Sequence, residues 1–453
     1  MTDNVLLGFS GADSPDPGVI NSCVHCGLCL PSCPTYRETL LEMASPRGRI
    51  YLMRGVSDGA ISLASDVFVD QMGLCLNCRA CEAVCPSGVK YGGILEASRV
   101  QVQRLRAEGA AGTAGPRMGA RERLVRGFVF GRLFRDMGLF RAFSGLLRFY
   151  QRSGLQALAR KLGVLKLLGM AEMEHMLPRM SARFVVPRGQ AHPAPAARQY
   201  RVAMLSGCVM ATAFADVHGA TVRVLQRNGC EVVFPAGQGC CGALHTHGGD
   251  LDGGRALARA NIAAFEAAGL DTLDAIVINA AGCGSTLKEY GHLLADDPAW
   301  AARAMAFADK VRDVHEFLAS IPLNTRDLRP LPRTVTFQEP CHLAHAQRIT
   351  AQPRKLLAAI PQLKVLEMAE SALCCGSAGV YNITQPEMAG RLGARKVDNA
   401  LATGAEIVVT ANPGCAIQLE TELGRRHAPQ KVRYIVELLD ESYGPPNVET
   451  DKP

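Results

Sequence analysis

Hydrophobic positions divide the chain into stretches with different periodicity. From 34 to 106 and from 120 to 185, apolar residues recur at the three- and four-residue spacing of amphipathic helices. From residue 200 onward, short runs rich in β-branched residues alternate with helical patterns. These runs are 201–205, 274–279, 334–337 and 406–411. Strand–helix alternation is typical of parallel α/β lobes, so the pattern predicts a multidomain α+β protein that is helical first and α/β afterwards.

The α/β part is an internal repeat marked by cysteines. Each copy contains a lone cysteine, then a Cys-Cys-Gly sequence, then a last cysteine. The first copy has Cys208, Cys240, Cys241 and Cys283, and the second has Cys341, Cys374, Cys375 and Cys415. The intervals hold 31 and 32 residues before the pair and 41 and 39 after it. This spacing predicts duplicated lobes over 200–325 and 326–453, with cysteines on loops at the strand ends.

Two cysteine runs in the N-terminal stretch carry the strongest chemical signal. Both read C-x2-C-x2-C-x3-C-P, and they begin at Cys23 and Cys75. This spacing holds 4Fe–4S cubanes in bacterial ferredoxins, where the fourth cysteine of each run binds the other cluster. We therefore assign Cys23, Cys26, Cys29 and Cys85 to one cluster, and Cys75, Cys78, Cys81 and Cys33 to the second.

Zinc is the alternative for such cysteines, because C-x2-C pairs also form zinc sites. A zinc ion takes four ligands in total, so two complete four-cysteine runs favour iron–sulfur clusters. Residues 35–73 between the runs have helical periodicity and are too long for a compact bacterial ferredoxin. We predict an α-helical ferredoxin-like domain over 1–106, with both clusters on loops between helices. Two interpretations are open for Arg47 and Arg49. They face a cluster or a partner, or they are solvated residues at the start of a helix.

The composition is that of a water-soluble globular protein. Of 453 residues, 48% are hydrophobic and 20% charged. No run approaches the ~18–20 apolar residues of a membrane span. Residues 1–17 lack the basic and apolar segments of a secretory signal. Seventeen cysteines without such a signal indicate metal ligation in a reducing compartment rather than disulfides, so we expect a cytoplasmic protein.

The net charge of +7 is concentrated in one segment. Residues 101–200 carry 18 Lys and Arg against 5 Asp and Glu. Within 107–199 we predict a linker (107–117), a basic helical bridge (120–185) and a second linker (185–197). Such an amphipathic bridge lies either on an anionic membrane surface or, as we favour, on the protein's own core with its arginines in water. It contains no recognised nucleic-acid module, so we expect no nucleic-acid partner.

The Cys-Cys-Gly sequences suggest further metal sites. On a glycine-terminated loop two neighbouring sulfurs can converge on one centre, and we expect the missing Cβ of Gly242 and Gly376 to leave room for it. Four cysteines per copy suffice for one cluster each. The alternative is that they pack as small apolar residues, which is our prediction for Cys230, outside the pattern. Four histidines near the cysteine loops are set aside, because most such side chains satisfy local backbone: His245, His247, His342 and His345.

Together, the N-terminal runs and the repeat resemble the cysteine-rich CCG family. This family includes heterodisulfide reductase subunits and iron–sulfur subunits of 2-hydroxyacid and glycerol-3-phosphate dehydrogenases. More narrowly, the chain resembles iron–sulfur subunits of bacterial glycolate oxidases. The stretches that carry the resemblance are SPRGRIYL (45–52), CLNCRACE (75–82), EPCHLAHAQ (339–347), CCGSAG (374–379) and ANPGC (411–415). The full CCG pattern ends in C-x2-C, whereas here Ala280 and Asn412 replace the first of those cysteines.

The resemblance implies an iron–sulfur electron-transfer subunit of a flavin-dependent glycolate oxidase. FAD and the oxidation of glycolate to glyoxylate would belong to partner subunits, since a two-electron oxidation suits a flavin. The acceptor would be a quinone or a similar molecule. We expect two 4Fe–4S clusters in the ferredoxin-like domain and further clusters in the repeat, and we assign no catalytic residue to this chain.

Three other interpretations stay open at this point. The basic bridge is compatible with peripheral association with the inner face of the cytoplasmic membrane. The partner's substrate would instead be D-lactate or glycerol 3-phosphate if the chain served a related dehydrogenase. In a different class, the chain would be a structural metal-binding module without a redox role.

Overall fold

The computed structural model of the protein describes residues 7–108 and 119–445, so the predicted linker at 107–117 lies almost entirely outside the described residues. The N-terminal part, 7–108, is helical. Its helices are α1 (Pro17–Asn21), α2 (Pro34–Thr39), α3 (Pro46–Ser57), α4 (Asp66–Leu74), α5 (Ala80–Ala83) and α6 (Tyr91–Glu108), with a 3₁₀ turn at Glu42–Ala44. The predicted start of α3 is confirmed: the Ser45 side chain caps it by accepting a hydrogen bond from Gly48 N at 3.0 Å, and Pro46 occupies its first position.

A small core holds these helices together. Ile50 and Met53 from α3 pack with Phe68 from α4 and Leu95 from α6. Several cysteines of the two runs pack against the same core. The loops between the helices therefore present those cysteines from a fixed base.

The bridge follows as a chain of short helices. They are α7 (Ala120–Phe128), a π-helical turn at Val129–Leu133, α8 (Met137–Arg152), α9 (Leu155–Lys161), α10 (Val164–Leu167) and α11 (Ala171–His175). Gly154 and Gly163 have left-handed φ angles of 85° and 68°, and they separate α8, α9 and α10.

The bridge packs on the first lobe at both ends. Leu133 and Phe140 are buried in its core, and Val185 packs against the same core, as predicted. The prediction is wrong for the middle of the bridge, because the apolar side chains of α8 to α10 are largely exposed; Phe149 is 65% and Leu167 88% exposed. The exposed set on these helices is Leu139, Phe143, Leu146, Phe149, Leu155, Leu158, Leu162, Val164 and Leu167.

The first lobe is a sheet with helices on both sides. Its strands are β1 (Ala191–His192), β2 (Tyr200–Met204), β3 (Cys230–Val233), β4 (Ala275–Ile278) and β5 (Val311–Asp313). Its helices are α12 (Val209–Thr212), α13 (Ala215–Arg227), α14 (Ala243–His247), α15 (Leu251–Ala267), α16 (Ala281–Lys288), α17 (Tyr290–Leu293), α18 (Ala301–Lys310) and α19 (Val314–Ser320). The sheet order is β1-β3-β2-β4-β5, and all pairs are parallel except β1 with β3.

Strand β1 falls inside the stretch predicted as the second linker. Ala191 pairs with Val233 and His192 with Val232. A strand of two residues is too short to give a periodic sequence signal, and the surrounding proline and alanine residues indicate a linker. This edge strand is stabilised by its pairing with β3, which the sequence does not reveal.

The second lobe repeats the parallel part of the first. Its strands are β6 (Thr334–Phe337), β7 (Lys364–Val365), β8 (Ile407–Thr410) and β9 (Lys431–Tyr434), in the order β7-β6-β8-β9. Its helices are α20 (Ala351–Ala359), α21 (Tyr381–Thr384), α22 (Pro386–Ala402), α23 (Pro413–Arg425) and α24 (Ile435–Tyr443), with a π-helical turn at His342–Ala346. The order matches β3-β2-β4-β5, so the predicted duplication of α/β lobes is confirmed. Parallel strands place the loops after β2, β3 and β4, and after β6, β7 and β8, at the carboxyl edges of the sheets, where the cysteines of the repeat lie.

Across the described ranges, every helix is too short or too polar to cross a bilayer.

Candidate metal centres

The two N-terminal cysteine runs fold onto each other and line two neighbouring cavities. Cavity A is lined by three cysteines of the first run and two of the second: Cys23, Cys26, Cys29, Cys81 and Cys85. Cys26 is exposed, and the exposed side chains of Val24 and Leu28 form part of the rim. Cavity A therefore opens to the protein surface.

Cavity B is lined by Cys33, Cys75, Cys78 and Cys81. All four are buried. Each cavity therefore contains the four cysteines of one predicted crossed set, and cavity A contains Cys81 in addition. Cys81, Tyr91 and Pro46 line both cavities, so the cavities share a wall.

The cysteines of both cavities suit a metal centre better than free thiols. Burial raises the pKa of the Cys29 thiol to about 11, and it raises the pKa of Cys78 and Cys81 well above the usual range. Thiolates in such places need a compensating positive charge. Four sulfurs around one cavity are also the donor set of a 4Fe–4S cube. The residues present therefore fit such a cluster in each cavity.

The arginines of the SPRGR sequence have different environments. Arg47 is partly exposed; its Nε donates to Glu42 Oε1 at 2.6 Å and its Nη1 to the His25 carbonyl oxygen at 3.2 Å beside cavity A. Arg49 is fully buried against cavity B, where its Nε donates to the Gln71 carbonyl oxygen at 2.8 Å. The interpretation as solvated residues is therefore wrong for Arg49.

A buried arginine is usually paired with a carboxylate, whereas the acidic groups beside the Arg49 guanidinium include the thiols of Cys75 and Cys33. Burial lowers the pKa of Arg49, but Cys75, Tyr91 and Cys33 raise it on balance. Its Nη2 also donates to Thr35 Oγ1 at 3.1 Å, and Thr35 Oγ1 lies 3.3 Å from Cys33 Sγ. The guanidinium is thus a fixed positive charge beside cavity B.

In the first copy of the repeat, the four predicted cysteines meet at the carboxyl edge of the sheet; we call this set the first-copy site. Cys240 Sγ lies 3.8 Å from Cys208 Sγ, and Cys241 Sγ lies 3.1 Å from Cys283 Sγ. Asn261 on α15 holds the pair in place, because its Nδ2 donates to the Cys240 carbonyl oxygen at 2.9 Å.

The second copy has the same arrangement, the second-copy site. Cys341 Sγ lies 3.9 Å from Cys374 Sγ, and Cys415 interacts with Cys375. Asn412, which stands where the full CCG pattern has a cysteine, donates from Nδ2 to Cys415 Sγ at 3.6 Å. Each copy therefore brings together four sulfurs, and they fit one cluster per copy by donor count.

Glycine in the Cys-Cys-Gly loop has a structural reason that differs from the expected one. A Cβ on Gly376 would lie 2.6 Å from the Ala389 carbonyl oxygen of α22, and the φ angle of Gly376 is 90°. The backbone of α22 occupies the space that a Cβ on Gly376 would take. The expectation that the missing Cβ of Gly376 leaves space for a metal is therefore wrong. Cys230, by contrast, is fully buried away from both sites, as predicted.

The second-copy site lies directly beside cavity B. Cys78 of cavity B and Cys341 and Cys374 of the second copy pack in one apolar cluster with Leu76 and Tyr381. The Tyr381 hydroxyl donates to the Leu74 carbonyl oxygen at 2.8 Å, which fixes α21 against the end of α4. Burial is the largest cause of the raised pKa of Cys78, and the nearby Cys341 thiol is the second largest.

A buried polar network joins the same two regions. His342, next to Cys341, donates from Nε2 to the Asn77 carbonyl oxygen at 2.8 Å. Asn77 Nδ2 donates to Glu96 Oε1 at 2.8 Å, and His247 Nδ1 donates to the same oxygen at 2.7 Å. Burial acts against ionisation of Glu96, yet His247 and Asn77 lower its pKa to about 2.

Sequence reasoning set these histidines aside as residues that satisfy local backbone. Two of them bind only backbone, but the partner of His245 lies in the bridge and that of His345 in its own lobe. His245 Nε2 donates to the Phe130 carbonyl oxygen and His345 Nε2 to that of Ala372, each at 2.9 Å. His247 and His342 instead connect the ferredoxin part to the repeat. The adjacency of His342 to Cys341 was the available signal, but the partner 265 residues away is fixed only by the tertiary fold.

The two copies touch at the loops that precede their last cysteines. Ala281 N donates to the Ala411 carbonyl oxygen at 3.1 Å, and Gly282 N donates to Asn412 Oδ1 at 3.0 Å. Gln347 Nε2 donates to the Ala281 carbonyl oxygen at 3.0 Å. The four candidate sites therefore follow one another from cavity A through cavity B and the second-copy site to the first-copy site.

A helical ferredoxin module with two cysteine-lined cavities, joined to duplicated cysteine-rich lobes, defines the class of iron–sulfur electron-transfer subunits. Comparison with family models agrees with this class. A 4Fe-4S dicluster domain matches residues 19–89, and a cysteine-rich domain matches 202–288 and 335–420. Residues 121–177 of the bridge match the linker region of the glycolate oxidase iron-sulfur subunit.

Relatives of nearly full length identify the family. The chain is 42% identical to the probable glycolate oxidase iron-sulfur subunit of Bacillus subtilis (strain 168), over 95% of each chain. It is 34% identical to the glycolate oxidase iron-sulfur subunit of Escherichia coli (strain K12), over 94% of each chain. Lactate utilization protein A of an Exiguobacterium species is 32% identical over 53% of this chain and 97% of its own length. The chain belongs to the family of glycolate oxidase iron–sulfur subunits.

Proposed function

We propose that this chain takes electrons from FAD on partner subunits that oxidise glycolate to glyoxylate, and passes them to a quinone or a similar acceptor. The observation that carries the proposal is near-full-length similarity to two proteins named as glycolate oxidase iron–sulfur subunits. The series of four adjacent cysteine sites supports it, because such a series suits electron transfer through the chain. A structural module would need only enough metal to hold its fold.

The proposed ligands are the crossed cysteine sets. Cys23, Cys26, Cys29 and Cys85 would hold one 4Fe–4S cluster, and Cys33, Cys75, Cys78 and Cys81 a second. Cys208, Cys240, Cys241 and Cys283 would hold a further cluster, and Cys341, Cys374, Cys375 and Cys415 another. When bound, such clusters accept and release single electrons. The chain's own contribution is to hold the thiolates, exclude water at the buried sites and set the charge around each.

The surface around cavity A is the proposed docking face for the FAD-binding subunit. Exposed apolar side chains surround the opening, and contiguous exposed apolar surface often marks an interface. They are Val24 and Leu28, which line cavity A, and Tyr51, whose ring lies against that of the lining residue His25. Of the four sites, cavity A alone has an exposed cysteine among the described residues, Cys26.

The exposed apolar face of α8 to α10 is proposed to rest on an anionic membrane surface, where a quinone acceptor would be at hand. Residues 137–170 contain six Lys and Arg and no Asp or Glu. Basic side chains beside exposed Leu and Phe are the pattern of helices that lie in the interface of a bilayer. This interpretation replaces packing on the core for this part of the bridge and keeps the protein peripheral.

The test uses the chain co-purified anaerobically with its FAD-binding partner subunits. Glycolate should reduce the clusters, seen as EPR signals that are absent without substrate and absent when the partner subunits are omitted. Parallel samples receive D-lactate or glycerol 3-phosphate. Clusters that dithionite reduces but glycolate does not would contradict the proposal.

The related alternative is an iron–sulfur subunit that serves D-lactate oxidation. The partial similarity to lactate utilization protein A favours it over glycerol 3-phosphate, although that similarity covers only about half of this chain. Cluster reduction by D-lactate and not by glycolate, in the same co-purified complex, would select this alternative.

A further inference from the structure

The second copy contains a buried lysine beside its cysteine pair. Lys396, on α22, is 1% exposed. Its Nζ donates to the backbone carbonyl oxygens of Glu370 and Ser371, the latter at 3.1 Å. Carbonyl groups satisfy the N–H donors of an ammonium group but do not cancel its charge.

The nearby carboxylate does not serve as a counter-charge, because it is already engaged. The Glu370 side chain accepts hydrogen bonds from Arg395 and Arg37. Within the described residues, no ion pair joins Lys396 to a carboxylate, whereas a buried charge is normally paired. The Glu370 carboxylate still attracts Lys396, but two arginines share it, and the other negative groups beside Lys396 are the thiolates of the second-copy site.

The cysteines of the second-copy site lie next to Lys396. Ser371, whose carbonyl oxygen accepts the hydrogen bond from Nζ, precedes Cys374 by three residues. Leu392, one turn before Lys396 on α22, packs in the same apolar cluster as Cys374. In agreement with this placement, burial lowers the pKa of Lys396 below its usual range, while Cys375, Cys374 and Cys415 act in the opposite direction.

The first copy has a neutral residue at the matching position. Asn261 lies eight residues before Gly269, and Lys396 lies eight residues before Gly404; each glycine has a left-handed φ angle and follows its helix. The Asn261 side chain makes two hydrogen bonds to the backbone of the Cys240–Cys241 loop. Its Oδ1 accepts from Gly239 N, and its Nδ2 donates to the Cys240 carbonyl oxygen. The two sites thus have equal numbers of cysteines but differ by one buried positive charge.

We propose that Lys396 is the fixed counter-charge of an anionic iron–sulfur cluster at the second-copy site, and that it raises the reduction potential of that cluster relative to the cluster of the first copy. This inference rests on the proposed ligand sets. Reduction adds one electron to the cluster, and a nearby ammonium group stabilises the reduced form more than the oxidised form. No proton or further reactant enters the step.

The experiment is a redox titration of the full-length chain, followed by EPR with chemical mediators. A Cys415→Ser variant first identifies the signal that belongs to the second-copy site. Lys396→Gln removes the charge but keeps an amide donor for the two carbonyl groups, and Lys396→Arg keeps the charge. Arg391→Gln, on the exposed face of the same helix, is the matched control, since its side chain is 51% exposed and solvent screens its charge.

We expect Lys396→Gln to shift the one-electron equilibrium of that signal at least tenfold toward the oxidised form, a lowering of the midpoint by about 59 mV. Lys396→Arg and Arg391→Gln should leave it in place. Loss of the second-copy iron in the Gln variant but not in the Arg variant would also support the counter-charge. An unchanged midpoint, loss of iron in both variants, or no Cys415-dependent signal in the parent chain would overturn the inference. Because mediators replace the partner subunits, these outcomes are independent of glycolate-dependent reduction.

Discussion

His342 Nε2 donates a hydrogen bond of 2.8 Å to the carbonyl oxygen of Asn77, and it thereby joins the residue after Cys341 to the residue before Cys78. The two candidate centres on either side belong to parts of the chain that are more than 250 residues apart. Both residues are buried or nearly so, and burial lowers the pKa of His342 to about 3. The imidazole is therefore neutral at physiological pH and acts as a hydrogen-bond donor.

Replacing His342 should weaken this contact without removing metal from cavity B. In His342→Phe the Asn77 carbonyl oxygen loses its donor, and leaving a buried acceptor unsatisfied costs about 1–3 kcal/mol. We expect a lower free energy of unfolding in anaerobic urea denaturation and an unchanged iron content. His345→Phe is the control within one lobe, because its partner Ala372 lies in the same lobe. His345→Phe should lower the free energy of unfolding by a similar amount but leave the EPR interaction between neighbouring clusters intact. His342→Phe should change that interaction. Equal effects of the two variants on the interaction would contradict a bridging role for His342.

The crossed assignment of the ferredoxin cysteines predicts which substitutions affect the same centre. Cys85→Ser should remove the same EPR signal as Cys23→Ser, although Cys85 belongs to the other run, and Cys33→Ser should remove the same signal as Cys75→Ser. Each variant should lose about four irons per chain. Iron and acid-labile sulfide measured on anaerobically purified protein provide the count.

Cys230→Ser is the control for these variants. Burial raises the pKa of Cys230 to about 12, and its sulfur lies against the Asn228 carbonyl oxygen at 3.6 Å, away from the candidate centres. Its replacement should leave the iron content unchanged. If Cys85→Ser removed the signal that Cys75→Ser removes, the crossed assignment would be wrong.

Glu370 ties the ferredoxin part to the second lobe in a pH-dependent manner. Arg395 donates to it with Nε and Nη2, each at 2.7 Å, and Arg37 of α2 donates from the other side. Hydrogen bonds from Arg395, opposed by burial and aided by Arg37, lower the pKa of Glu370 from 4.5 to about 2. A carboxylate with a lowered pKa in the folded state contributes stability that is complete above about pH 4.5 and is lost as the pH falls toward 2.

The variant Glu370→Gln should therefore be less stable than the parent chain by about 1 kcal/mol, since all three side chains are partly exposed. The difference in unfolding free energy should stay constant from about pH 8 to 5 and shrink below 4.5. Glu387→Gln, which removes an exposed partner of Arg391, should show almost no difference at any pH. A difference for Glu370→Gln that grows on acidification would reverse the sign and contradict this account.

The sequence was informative wherever a short stretch decides the structure. The cysteine spacing predicted that each run contributes to two sites, because three cysteines on one tight loop leave the fourth to a neighbouring cavity. The two runs do line two adjoining cavities, and the assignment of each cysteine to one cluster stays a prediction. The capped start of α3 and the duplicated lobes also follow from local patterns. The domain boundaries at 106, 199 and 325 remain predictions.

What the sequence could not supply depends on contacts between distant parts. Strand β1 needs β3, the environment of Lys396 needs the loop at Glu370 and Ser371, and the network around Glu96 needs both lobes and the ferredoxin part. Residue types with several common roles, such as His247 and Arg49, acquire one role only when their neighbours are known. The bridge was misjudged for a related reason: helical periodicity indicates an apolar face but not what covers it.

That uncovered face predicts binding to anionic vesicles by the full-length chain. Burying a Leu or Phe side chain contributes about 1.5–3 kcal/mol, and each nearby Lys or Arg adds about 1 kcal/mol at an anionic surface. The double variant Phe149→Ser/Leu158→Ser removes two exposed apolar side chains from α8 and α9 without touching the buried Phe140. We expect it to bind at least tenfold more weakly to vesicles of mixed anionic and neutral lipid in a flotation assay, and binding of the parent chain should fall as salt is raised.

A matched control is Val24→Ser/Leu28→Ser, since these residues are also exposed but line cavity A, far along the chain from the bridge. It should leave vesicle binding unchanged and instead weaken co-purification with the FAD-binding subunits. The reverse pattern, in which the bridge variant loses the partner subunits and keeps its vesicle binding, would make the bridge a protein interface. Equal binding of the parent chain to neutral and anionic vesicles would remove the role of the basic side chains, because their attraction depends on lipid charge.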